Sequence, residues 1–184
     1  MARYEKVFSE FEILNSSIKF ADSEDFTKIG SVGSISEELA VMVLTKKCEG
    51  VTVKTVVRGS TEGTITLNLH MRYDLYLEAF GMNQEGLVDG VQAYGKKSKH
   101  KEFIFVAEVY DEDGNKKLIA YPRCIMSSAP KTSITNGGEE VAEIEVSITL
   151  FADEEGNVKY ESMNEELATQ WMTGFSSEIV KRSY

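Results

Sequence analysis

The sequence predicts a mainly β protein, a two-sheet β-sandwich or partial barrel with a short flanking α-helix and a short C-terminal helix. Three features of the 184 residues carry that expectation. Apolar residues alternate at period two over long stretches, which is the pattern of half-buried strands. Acidic-Gly turn signals separate the alternating runs. Helical periodicity is confined to two short segments.

Taken in order, residues 1–36 read as a loop-rich N-terminal segment, with Ala21 to Ser36 polar and glycine-bearing. Leu39 to Thr45 and Val51 to Val57 are candidate strands, valine-rich and apolar on both faces, and Arg58 to Gly63 reads as a turn. In Thr64 to Arg72, Ile65, Leu67, Leu69 and Met71 share one face, with Thr64, Thr66, Asn68, His70 and Arg72 on the other. Tyr73, Tyr76, Leu77 and Phe80 then fall at helical spacing as a packing face, with Gly81 placed to stop the helix. Gly81 to Lys101 is a long lysine-rich connection. Glu102 to Tyr110 and Lys116 to Met126 form a hairpin around Asp113-Gly114, and Pro122 in the return strand marks an edge or a bulge. Glu140 to Leu150 alternates again, with Val146, Ile148 and Leu150 on one face and Glu143, Glu145 and Ser147 on the other. A turn at Asp153 to Asn157 leads to Val158–Tyr160, and a helix is expected over Glu165 to Met172, capped by Asn164. The whole reads as one domain over 1–184, with 161–184 a C-terminal helical arm.

Composition narrows the function. The net charge of −10 is the wrong sign for covering nucleic acid through counterion release. Basic residues nevertheless outnumber acidic ones between Thr45 and Lys101, whereas the remainder is strongly acidic. Opposite-sign regions on one chain steer and register a subunit that associates head to tail. The start reads as neither a secretory signal nor a membrane span. Cys48 and Cys124 lack the spacing of a metal or redox motif and read as reduced thiols.

The chemistry of an enzyme is not legible, and no cofactor or metal is expected. Gly30-x-x-Gly33 lacks the setting of a dinucleotide fingerprint. His70 reads as a surface residue, and His100 sits among lysines that oppose its protonation. Asp111-x-Asp113-Gly114 and Asp153 to Asn157 are better explained as turns than as calcium loops.

Four stretches together resemble the major tail tube proteins of long, non-contractile-tailed bacteriophages, those infecting Gram-positive bacteria in particular. They are LNLHMRYDLYLEAFGM (Leu67 to Met82), GKKSKHKEFIFVAEV (Gly95 to Val109), YPRCIMSSAP (Tyr121 to Pro130) with Glu139 to Phe151 following, and the acidic, tryptophan-containing Glu165 to Trp171. They cover about the last two-thirds of the chain. The resemblance implies a structural virion protein, not an enzyme, made in the host cytoplasm and ending in the phage tail. It implies six subunits closing into a ring, with one sheet from each lining a channel and rings stacking into a tube. Its partners would be other copies of itself, a tape-measure protein, and tail terminator and distal tail proteins, with DNA passing through without sequence-specific binding.

Within that picture, Glu143 and Glu145 are candidates to face the lumen, where negative charge keeps DNA from adhering. Lys46, Lys47, Lys54 and Arg58, or Lys96, Lys97 and Lys99, are candidates for the ring or stacking contact with acidic residues of a neighbour. An inner tube subunit of a contractile tail or phage-derived injection device shares these requirements. A carbohydrate- or protein-binding β-sandwich is the reading of a different class, with Trp171, Tyr73, Tyr76 and Tyr94 as its anchors.

Overall fold

A computed structural model describes residues 5, 7–137 and 141–181. Its strands are β1 (Glu10–Phe20), β2 (Thr27–Lys28), β3 (Gly30–Cys48), β4 (Val51–Met71), β5 (Glu102–Asp111), β6 (Lys116–Met126), β7 (Ile144–Phe151) and β8 (Tyr160–Ser162). The helices are α1 (Tyr73–Ala79) and α2 (Ala168–Gly174), the latter preceded by a 3-10 turn at Glu165–Leu167. The protein is mainly β, as the alternation predicted. The strands form one continuous antiparallel sheet in the order β2-β1-β5-β6-β7-β4-β3, with β8 added to β6. The sheet rolls until β3, at one end, comes back beside β1. Ile29 N–H donates to Ser16 O (3.1 Å) where the two approach. The arrangement is thus the partial-barrel form of the expected architecture, without a break into two sheets.

The alternating faces point where the sequence placed them. Ile65, Leu67, Leu69, Val146, Ile148 and Leu150 all fill the interior. Strands β5 and β6 carry apolar residues on their other face too. Val106, Leu118 and Ala120 pack there against Trp171 and Phe175, so α2 covers the outside of the sheet. Trp171 is 1% exposed and donates from its indole N–H to Ile119 O (3.0 Å). Asn164 caps the preceding turn, its side-chain oxygen accepting from Glu166 N–H (3.1 Å).

Helix α1 plugs the barrel interior with Leu75, Ala79 and Phe80. The expected packing face is therefore rotated: Leu77 and Phe80 are buried and Tyr76 partly so, but Tyr73 is 65% exposed. Leu75 takes the place in the core given to Tyr73. The helix ends with Gly81 N–H on Glu78 O (3.1 Å) and Met82 N–H on Leu77 O (2.8 Å). This is a Schellman closure, and Gly81 takes φ +60° with no room for a Cβ against the Lys99 backbone.

Two expectations are corrected. Residues 10–36 are not loop-rich, since β1, β2 and the start of β3 occupy most of them. Asn15, at φ +53°, sits in a bulge between Leu14 and Ser17 that breaks the alternation. Arg58 to Gly63 is not a turn but part of β4, where pairing with β3 is interrupted between Leu39 and Val41. Val51 to Val57 is a strand as expected, one arm of a projecting hairpin. Pro122 does lie at a bulge, in the gap between the Phe103↔Cys124 and Phe105↔Tyr121 pairs. There the opposite side of β6 passes from β8 to β7, so the missing N–H falls where no partner needs it. Glu139 and Glu140 lie outside the described residues.

Candidate assembly surfaces

Beyond the sheet, β3 and β4 continue as a two-stranded ribbon. β7 pairs with β4 only from Glu62 to Leu69, leaving Val41 to Cys48 and Val51 to Gly59 paired with each other alone. Glu49 and Gly50, both at positive φ, make the two-residue tip whose twist matches the strands. Val43 pairs with Val57 and Leu44 with Val56, so both faces of the ribbon are apolar. Val41 is 64% exposed, and Met42, Val43, Leu44, Val51, Val53 and Val57 are exposed as well. An isolated hairpin is marginal in water and gains nothing from apolar residues that no neighbour covers. Lys46 stands opposite Lys54, a like-charge pairing that disfavours the hairpin. With Lys47 and Arg58, these cations make no ion pair among the described residues.

The second candidate contact, Lys96, Lys97 and Lys99, lies in the connection from α1 to β5. That loop is ordered by its own bonds, from Gln84 Nε2 to Ala93 O (2.8 Å) and from Gly95 N–H to Ser98 Oγ (3.1 Å). All three lysines are exposed and likewise without an ion pair among the described residues. His100 is held inside the loop, Nδ1 2.6 Å from Met126 O and Nε2 3.2 Å from Tyr94 Oη.

Glu143 and Glu145 are both exposed. Glu145 pairs across the ladder with Asn68, and its carboxylate meets Lys131 Nζ at 2.5 Å. Glu143 lies over Gly33, at a bulge in β3, its carboxylate occupying the space a Cβ would take. The same face presents Ser34, whose hydroxyl accepts from Asn68 Nδ2 (2.9 Å), along with Ser36, Thr66 and Ser147. It is a face of small polar side chains with two carboxylates.

Where β1 and β3 diverge from their Ser16–Ile29 contact, a cleft of about 740 Å³ opens toward the interior. One lip is Glu10 to Leu14, the other Ser31 to Ile35 with Glu37. A chain of alternating charges runs beside it. Lys117 joins Glu10 to Glu161, and Lys159 joins Glu161 (2.7 Å) to Glu37 (2.8 Å), which also accepts from the Tyr121 hydroxyl. Burial and the Glu37 carboxylate push the Tyr121 hydroxyl well above its ordinary range, so it remains a donor. Sequence reasoning missed this cleft because it depends on β1, whose bulge hid it.

Of the aromatic anchors, Trp171 belongs to the core. Tyr73, Tyr76 and Tyr94 are brought together in a chain of ring contacts through Phe80 and His100. The turn readings of the aspartates hold: Asp111 Oδ1 accepts from Asp113 and Asn115 N–H, and Asp153 Oδ1 from Glu155 and Asn157 N–H. Cys48 is exposed near the ribbon tip and Cys124 is buried, both free. Among the described residues, no helix is long and apolar enough to cross a membrane.

Among solved structures, the chain is similar to the cryo-EM structure of the anti-feeding prophage cap, described as the AFP tube terminating cap. The likeness covers 86% of this chain and 95% of that one, at a TM-score of 0.40 and 12% sequence identity. No protein-family model and no curated protein matches the chain.

Proposed function

We propose that this chain is a structural subunit that assembles with copies of itself into stacked rings, forming the tail tube of a long, non-contractile-tailed bacteriophage. The observation that carries the reading is the β3–β4 ribbon. It projects from the sheet with apolar residues on both faces and unpaired cations along it. Covering both faces requires a neighbour, and a contact repeated head to tail generates a filament when its rotation does not close. The resemblance of the four stretches to tail tube proteins is what supports this filament in particular. Six copies per ring, a bore lined by one sheet of each, and passage of DNA through it belong to the same reading.

Negative-stain electron microscopy across protein concentrations and incubation times tests it. Hollow tubes or rings with a central hole are the expected result. Compact monomers that persist at high concentration would count against self-assembly. They would favour the binding-module reading, which has exposed Tyr73 stacked on half-buried Tyr76 beside Tyr94 on its side. A glycan screen would then be the measurement to make.

A further inference from the structure

We infer that the β3–β4 ribbon tip of one copy docks in the cleft between β1 and β3 of the next. The inference rests on the self-assembly reading and adds to it the receiving surface. Three observations converge on the pairing.

The first is charge. Over residues 39–61 the ribbon carries Lys46, Lys47, Lys54 and Arg58 against Glu49 alone. The cleft is rimmed by Glu10, Glu12 and Glu37 against Lys159 alone. Glu12 makes no ion pair among the described residues. Opposite patches of this kind steer encounter and set register.

The second is apolar surface. Phe11 (77% exposed) and Leu14 are exposed on the β1 lip, and Val109 and Ile119 line the cleft behind it. A space of this size takes several side chains, enough for the tip though not for the whole ribbon.

The third is backbone. β2 covers β1 only at Ser17 and Ile18, and β3 is the last strand of its end of the sheet. Both lips therefore present strand edges with open N–H and C=O groups, the kind of edge to which another strand adds.

The same chain cannot satisfy its own cleft. The ladder from Gly30↔Met71 to Cys48↔Val51 makes the ribbon a continuation of the β3 lip. At about 3.3 Å per residue its tip stands roughly 45 Å beyond Ile35. Donor and acceptor surfaces thus lie on different parts of one molecule, which is the geometry of an open, head-to-tail series.

Cysteine cross-linking tests the contact. The wild-type chain has one accessible thiol, Cys48, since Cys124 is buried, so oxidation can give at most dimers. Ser31→Cys on the β3 lip or Ser9→Cys beside the β1 lip adds a second thiol without altering charge. If the tip docks in the cleft, oxidised samples of one of these variants give a ladder of covalent multimers beyond the dimer. Dimers alone at both positions, while electron microscopy shows tubes, would overturn the docking site and leave self-assembly standing. The absence of both ladder and tubes, in wild type as well, would overturn both. Should an added cysteine itself block assembly, a charge swap decides. Lys46→Glu should lower tube yield about tenfold, and adding Glu12→Lys should restore it. A double variant no better than the single one would refute the contact.

Discussion

Glu108 extends from β5 among Asn15, Tyr110 and Lys116 and is almost wholly buried. Asn15 Nδ2 donates to its carboxylate at 2.6 Å, the Tyr110 hydroxyl at 3.0 Å and Lys116 Nζ at 3.3 Å. Burial alone would raise its pKa. The three donors and the Lys116 charge outweigh that and hold it below the ordinary value of 4.5. Because the folded-state pKa is depressed, the unfolded chain binds more protons in this range. The stabilisation is complete above about pH 4.5 and is lost as the pH falls through the depressed value. Removing the carboxylate with Glu108→Ala strands Lys116 and should cost on the order of 3 kcal/mol. Glu108→Gln should also lower the melting temperature at pH 6, and the gap from wild type should narrow as the pH drops toward 3. A gap that stays constant over that range would show that the carboxylate's charge contributes nothing.

At the scale of elements, α2 is held to the sheet mainly by Trp171 and Phe175. The turn before it contributes one cap, and the helix has only two turns of its own. Trp171→Ala removes the largest fully buried side chain and leaves Ile119 O without its donor. It should destabilise the fold by about 3–5 kcal/mol. In a chain of this length that is a fall in melting temperature of roughly 10 °C. An unchanged melting curve would mean that α2 is not part of the cooperative unit. The elements that sequence reasoning placed well are those where one local pattern decides the outcome. Parity alone orients β4 from Thr64 to Leu69 and β7 from Val146 to Leu150, and Asp113-Gly114 alone fixes the β5–β6 turn. Parity fails at a bulge: Asn15 hid β1, and the irregular pairing near Gly59 and Gly63 made a continuous strand look like a turn. The ribbon's cations were legible as a surface, whereas the cleft was not, because its lips are brought together only when the two ends of the sheet meet.

For the whole molecule, the distribution of charge matters more than its sum. A net charge of −10 repels copies from one another, so association needs local surfaces that overcome that repulsion. The ribbon cations and the cleft carboxylates answer that need. The face carrying Glu143, Glu145, Ser34, Asn68 and Ser147 is different in character, because it offers neither apolar area nor unpaired cations to a partner. In the proposed tube such a face suits a water-filled bore through which DNA would pass without adhering. If it lines the lumen, Glu143→Lys/Glu145→Lys should still assemble, since Glu145 lies away from the ribbon and the cleft and Glu143 meets the cleft only where its carboxylate overlies Gly33 of the β3 lip. Its tubes should then retain short duplex DNA at low salt and release it as salt rises, in the steep manner of phosphate neutralisation. Wild-type tubes should retain none under the same conditions. Equal, negligible retention by both would place these two carboxylates away from the bore. Loss of assembly in the variant would move them to a contact between subunits, so the one comparison separates the three positions a residue can hold in a tube wall.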